Sequence, residues 1–382
     1  MLHPPSMLSL HRHPATGSVC VLAMLTTMWW WNGGDVGQLT LDARAWHSQP
    51  WRLVTSVLPH VDLMHLAFNI YWVWVFGTKI ESVFGSFRTV SVILLLAVGS
   101  ALAEYALAAG GVGLSGVGYG FFGFLWVLCR RDPRFDGVID HRTIQLFVGW
   151  FFLCIILTAA DVWHVGNVAH GAGGLLGVLL GFAAAPRYGQ ERVVACVLLV
   201  ASLLSIAVGG TVGRPYLNHS GAVGRDLAYL GYEALKEGRY EQAARLYRSA
   251  VAGKCREPSW WYNLGIAYQH LSDDEGATNA YQRAFELAPH DSTFKQGLAN
   301  WKASLGFKAH SRGDTDEAVR LYRDAIRIDP SNHTVFYNLG IAYQTSGRQQ
   351  EAVEAFEKAI ALDQGNAEYR AALESMKSAV PY

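Results

Sequence analysis

Seven apolar runs alternate with short polar connectors in the first part of the chain, at residues 17–31, 62–80, 89–109, 115–129, 143–160, 166–185 and 193–212. Most approach the roughly 20 residues a helix needs to cross about 30 Å of hydrocarbon. Beyond residue 223 the pattern changes. Ala, Glu, Arg, Tyr and Gln become frequent, and similar segments return about every 34 residues over 224–364. The expected fold is all-α: a polytopic membrane bundle over residues 1–212, a linker over 213–223, and a soluble helical repeat domain over 224–382.

Charge placement orients the bundle. One set of connectors holds Arg12, Lys79, Arg88, Arg130, Arg131, Arg134, Arg142, Arg187 and Arg192, and the other holds only Arg44 and Arg52. Positive residues stay on the cytoplasmic side, so the N-terminus is expected inside and the residues after 212 outside. The first run is expected to remain as an uncleaved span. The fourth run, Ser115 to Cys129, covers only about 21 Å at 1.5 Å per residue. Its deficit falls at the outer end, so Ser115 is expected below the outer surface. The descending glycine-rich stretch Gly110–Gly120 reaches it there, lining a cavity open to the outside.

Composition narrows the chemistry. The chain is 51% hydrophobic and 16% charged, with formal net charge zero, which gives no support for a nucleic-acid partner. Cys20, Cys129, Cys154, Cys196 and Cys255 have no CxxC spacing, so neither a disulfide framework nor a metal site is expected. The absence of HExxH disfavours zincin chemistry.

Three polar clusters share the depth of Ser115. His65 and Asn69 are four apart near the start of the second run, on one helix face. His170 lies about one turn into the sixth run, and spans two, four and six all run from outside to inside. Taken singly, Ser115 reads as a packing serine, Asn69 as an interhelical donor, His60 and His164 as interfacial or capping residues, and Glu104 as facing headgroups or a polar partner. Together Ser115, His170, His65 and Asn69 point to chemistry, because polar groups in a membrane face the interior or water. Ser115 would be the nucleophile and His170 the base. The Ser115 N–H, His65 and Asn69 would stabilise the oxyanion. Glu104 and Asp161 have no evident spacing to His170, so a dyad fits better than a triad. Gly116 and Gly120, with Gly173, Gly177 and Gly181, form small-residue faces that would let the two helices meet.

These motifs resemble the rhomboid intramembrane serine proteases over about residues 45–186. Gly113-Leu114-Ser115-Gly116 is similar to the GxSG nucleophile motif, Ala169-His170 to the base motif, and His65-x-x-x-Asn69 to the HxxxN of the oxyanion site. Trp51-Arg52 resembles the WR pair of the first outer loop, Glu81 the acidic residue ending the second span, and Tyr119 the tyrosine one turn after the nucleophile. The resemblance implies endopeptidase activity without metal or cofactor, on single-span membrane proteins that unwind near the outer surface. It also implies that Tyr119 stacks on the catalytic histidine. Gly118 departs from the pattern and is expected to loosen the early fourth helix. The alternative is a non-catalytic relative that binds membrane clients; such relatives generally lack the serine or the histidine.

The second half resembles tetratricopeptide repeats. Copies start near 224, 258, 299 and 333, with seven extra residues between the second and third and a capping helix over 366–377. A concave face that binds a peptide or partner protein is implied, on the outer side with the active-site opening.

Overall fold

The computed structural model describes residues 7–46, 48–163, 165–186, 189–252 and 255–378. His164 and Arg187 lie outside them. Among the described residues all regular structure is helical, and the chain divides into two compact units, Met1–Val223 and Gly224–Tyr382.

In the first unit each apolar run falls on one long helix, with ends that differ by up to four residues. The α-helices in order are α1 (Pro14–Trp31), the short α2 (Arg52–Thr55), α3 (Leu63–Phe84), α4 (Ser86–Leu107), α5 (Ser115–Arg131), α6 (His141–Ala159), α7 (Asn167–Ala184), α8 (Gln190–Gly210) and the short α9 (Arg214–Leu217). Four of them, α4, α6, α7 and α8, are long and apolar enough to cross a membrane by length and composition alone. The apolar windows of α6 and α8 are each only 17% buried. Faces such as Phe152, Ile156, Leu198 and Leu204, exposed by 49–62%, suit lipid rather than water.

Local chemistry sets the helix ends. Asp62 caps α3 by accepting from the His65 N–H at 2.8 Å. Asp140 caps α6 through the Thr143 N–H and hydroxyl, which hold its carboxyl down at about 2, so the cap stays charged at neutral pH. Gly85, at φ +77°, is the single residue between α3 and α4, a conformation that favours glycine. The core gathers around α5, where Phe121, Phe124, Leu125 and Leu128 are fully enclosed by side chains of α3, α4 and α7.

Glu81 is an interior staple. Its carboxylate accepts from the Ala15 and Thr16 N–H groups at 2.9 Å, from the Thr16 hydroxyl at 2.7 Å and from Ser86 at 2.7 Å. It therefore satisfies the open N-terminus of α1 from the end of α3. Replacing it by glutamine should lower stability by about 1–3 kcal/mol, since the charge and one acceptor oxygen are lost. Thermal unfolding of the purified variant checks this, with unchanged melting counting against the staple.

The connection between α1 and α3, which carries α2, has internal bonding of its own. Arg52, 1% exposed, donates to the Gly37 and Thr40 carbonyls at 2.6 Å and to Gln49 and Asp42. At the far end of the unit, Asn218 donates to the carbonyls of Ala108 (2.5 Å) and Tyr105 (3.1 Å). Arg214 donates to the same Ala108 carbonyl at 3.3 Å and lies 3.4 Å from the Tyr105 ring centroid. The segment after α8 thus caps the C-terminus of α4.

The second unit is four helical hairpins and a last helix: α10 (Ala222–Lys236) with α11 (Tyr240–Ala250), α12 (Pro258–His270) with α13 (Asp274–Leu287), α14 (Ser292–Ser311) with α15 (Thr315–Ile328), α16 (His333–Thr345) with α17 (Gln349–Leu362), and α18 (Ala367–Ser378). One contact repeats in each pair. A Cβ on Gly231, Gly265, Gly306 or Gly340 would lie within 3.0 Å of the ring of Tyr247, Tyr281, Tyr322 or Phe356 respectively. The seven extra residues lengthen α14 to 20 residues, against 13 for α12 and α16. Seven residues are close to two full turns, so the added length keeps the helix face in register. Trp301 on that helix donates to Thr278 at 2.9 Å.

Candidate active site

The stretch ahead of α5 is shaped by what presses on it. Gly110 (φ +90°) and Gly113 (φ +109°) take left-handed conformations. At Gly113 a Cβ would also lie 2.6 Å from Cε1 of His65, so a side chain there would have to displace that ring. Ser115 then opens α5, where the first N–H groups of a helix have no internal partner.

Glycine brings α5 and α7 into backbone contact. A Cβ on Gly173 would overlap the Gly116 carbonyl oxygen, and one on Gly177 would overlap that of Gly120. One on Gly181 would lie 2.9 Å from the Phe124 oxygen. Pairing 116 with 173, 120 with 177 and 124 with 181 makes the helices parallel and in step. Ser115 and His170 therefore stand at the same end of the pair. The His170 ring stacks on Tyr119, with centroids 4.6 Å apart and planes 24° apart, as the resemblance implied. The Tyr119 hydroxyl donates to the Phe147 carbonyl at 3.1 Å, which fixes the ring beneath the histidine.

Ser115, His170, His65, Asn69, Gly113 and Tyr119 all line one cavity of about 660 Å³. Apolar side chains form much of the remaining wall, among them Met64, Phe68, Trp72, Trp150 and Val162. Asn69 is 3% exposed and its Nδ2 has no hydrogen-bond partner among the described residues. The same holds for Nδ1 of His170, which is also 3% exposed. A buried amide without an acceptor is costly unless it serves a ligand. Ser100 also lines the cavity, but its hydroxyl is spent on the Leu96 carbonyl at 2.6 Å. Gly116 packs against Ser100 and the Ala169 carbonyl.

Other residues fall elsewhere. Trp51 is half exposed, Arg52 is buried in its own loop, and Glu81 sits at the opposite end of α3 from His65; none of the three lines the cavity. Gly118 does line it. Its N–H bonds regularly to the Leu114 carbonyl at 2.9 Å, so the early helix is intact there, and a Cβ would meet nothing within 4 Å.

Two residues stand closer to the site than their sequence positions suggest. His60, fully buried, pairs Nδ1 with the Leu58 carbonyl at 2.9 Å and accepts from the Leu114 N–H at Nε2, 3.2 Å away. It is a neutral imidazole with its proton on Nδ1, bonded to the residue that precedes Ser115. Glu104 accepts from the Ala169 N–H at 2.9 Å, beside His170. Neither contact has a periodic sequence signal.

Residues 47–187 match the Rhomboid domain model. Residues 230–292 and 333–366 match tetratricopeptide repeat models, and residues 309–347 a TPR repeat model. The rhomboid protease GlpG of Photorhabdus laumondii is 28% identical over 177 residues, which are 45% of this chain and 62% of that protein. The match thus spans less than two thirds of that relative's length. Among solved structures, MamA (41-end) from Desulfovibrio magneticus RS-1 is 20% identical and covers 41% of this chain and 84% of its own, with TM-score 0.32. A crystal structure of MamA is 21% identical over 54% of this chain and 99% of its own, with TM-score 0.31. Likeness at that level assigns neither ligand nor partner. The chain is a membrane protein that joins a rhomboid domain, at residues 47–187, to tetratricopeptide repeats.

Proposed function

We propose that the protein is an intramembrane serine endopeptidase that cleaves single-span membrane proteins with a Ser115–His170 dyad. One observation carries this reading. Ser115 and His170 stand at the same end of two helices in backbone contact and line one cavity with His65 and the unpaired Asn69 amide.

The chemistry follows from the groups present. The Ser115 hydroxyl attacks the peptide carbonyl while His170 accepts its proton. Negative charge develops on the carbonyl oxygen, and the Ser115 N–H, His65 and Asn69 Nδ2 are the donors for it. The tetrahedral species collapses as His170 returns the proton to the leaving amine, leaving an ester on Ser115. Cavity water, activated by the same imidazole, hydrolyses that ester. With no acid on Nδ1 among the described residues, the stack on Tyr119 orients the ring. The apolar wall suits a peptide segment unwound from a membrane helix.

The topology belongs to the same reading. Gly210, at the end of α8, packs on Leu102 near the end of α4, and the loop after α4 leads to Ser115. The chain therefore leaves the bundle at the end where the cavity lies. With the positive connectors inside, the repeats are extracytoplasmic, where their concave face binds a peptide or protein partner and recruits substrates.

A serine-directed fluorophosphonate tests the reading on the purified protein. A single adduct on Ser115, together with cleavage of a single-span substrate in liposomes, is the expected result. No adduct and no cleavage would overturn it in favour of a client-binding protein. Asn69→Ala should lower kcat by about 10²- to 10³-fold with little change in KM, because its donor acts mainly on the oxyanion.

A further inference from the structure

We infer that Glu104 is a positioning residue for the general base, an inference that rests on the Ser115–His170 reading. Glu104 is carried by α4, is 6% exposed and lines the cavity. Its Oε2 accepts from the N–H of Ala169, the third residue of α7 and the neighbour of His170. Gly166, the residue ahead of α7, supplies no side-chain cap. The Glu104 side chain thus does for α7 what a local Asp or Ser does elsewhere, accepting from an N–H at the open start of the helix.

Glu104 borders two segments at ordinary van der Waals contact. A Cβ on Gly166 would lie 3.4 Å from Cδ of Glu104, and one on Gly111 would lie 3.5 Å from its Cγ. One side chain therefore lies against both the loop leading to Ser115 and the first turn carrying His170. The need for it follows from the dyad. Among the described residues His170 has no partner on Nδ1 to fix its angle, so its aim depends on the Tyr119 stack and on its own backbone. That backbone is the first turn of α7, whose His170 N–H bonds back to Gly166 at 3.2 Å. Glu104 acts on the main chain of α7 rather than on the imidazole.

The test uses the full chain in liposomes, with Glu104→Ala and Glu104→Gln. Glutamine keeps an acceptor oxygen at the same reach, and alanine removes it. Alanine should lower kcat on the order of 10- to 100-fold with KM nearly unchanged, and glutamine should recover most of it. Amide exchange over residues 166–170 should quicken about tenfold or more in the alanine variant and stay near wild type in the glutamine variant. Wild-type kcat in the alanine variant would overturn the inference. So would equal loss in both variants with unchanged exchange at 166–170. Should the wild-type protein neither cleave nor label at Ser115, the protease reading falls. The exchange comparison then still decides whether Glu104 holds α7, and equal exchange in all three proteins would overturn that too.

Discussion

Ser115→Ala is expected to lower kcat on the order of 10⁴- to 10⁶-fold, and His170→Ala by a similar factor, with the double variant scarcely worse than either. The non-additivity is the informative part. A nucleophile and its base act as one unit, so removing one leaves nothing for the other to do. Substrate binding should survive in both variants, because most of the cavity wall is apolar side chain that neither change touches. The two steps are separable by experiment. Pull-down of an uncleaved substrate should match wild type, while product formation should vanish. Product from Ser115→Ala at a tenth of the wild-type rate would rule out Ser115 as the nucleophile.

A valine at Gly173 is expected to cost more than about 4 kcal/mol and to abolish activity along with it. The added Cβ would overlap the carbonyl oxygen of Gly116, and backbone cannot rotate away as a side chain can. Either α5 and α7 separate, or the protein unfolds. Separation alone would move His170 away from Ser115, and a misplacement of about 1 Å is enough to cost about 10²-fold. Gly149 is the matched control. It lies in α6, where a Cβ meets nothing within 4 Å, so Gly149→Val should melt near wild type. Equal melting of the Gly173 and Gly149 variants would show that the α5–α7 contact is looser than described.

Much of this was legible along the chain because it is written in periodicities. Each apolar run falls on a helix, and α5 begins at Ser115, where the fourth run opens. The glycines spaced by four in the fourth and sixth runs do meet, and Ser115, His170, His65 and Asn69 line one cavity. The seven-residue insertion in the repeats was visible as a break in period, although not as two more turns of α14. What escaped were single contacts between distant residues. Glu104 meets Ala169 across 65 positions, Glu81 meets Ala15 across 66, and His60 meets Leu114 across 54. A lone polar residue at a helix end has the same local context whether it faces headgroups or caps a neighbour. Only the packing of the other helices decides, and that information is spread over the whole bundle. The WR pair shows the converse. Trp51 and Arg52 were conspicuous in the sequence, and the arginine is spent holding its own loop.

Asn218 belongs to an Asn-His-Ser sequence that could be mistaken for a sugar acceptor, yet its amide is buried on the end of α4. The matched family domain stops at residue 187, some thirty positions earlier. A shortened protein ending there would leave the Tyr105 and Ala108 carbonyls without the donors that Asn218 and Arg214 provide, just ahead of the loop that leads to Ser115. The border of a sequence family and the border of a folding unit are different lines in this chain, and anyone dividing it should cut by the second.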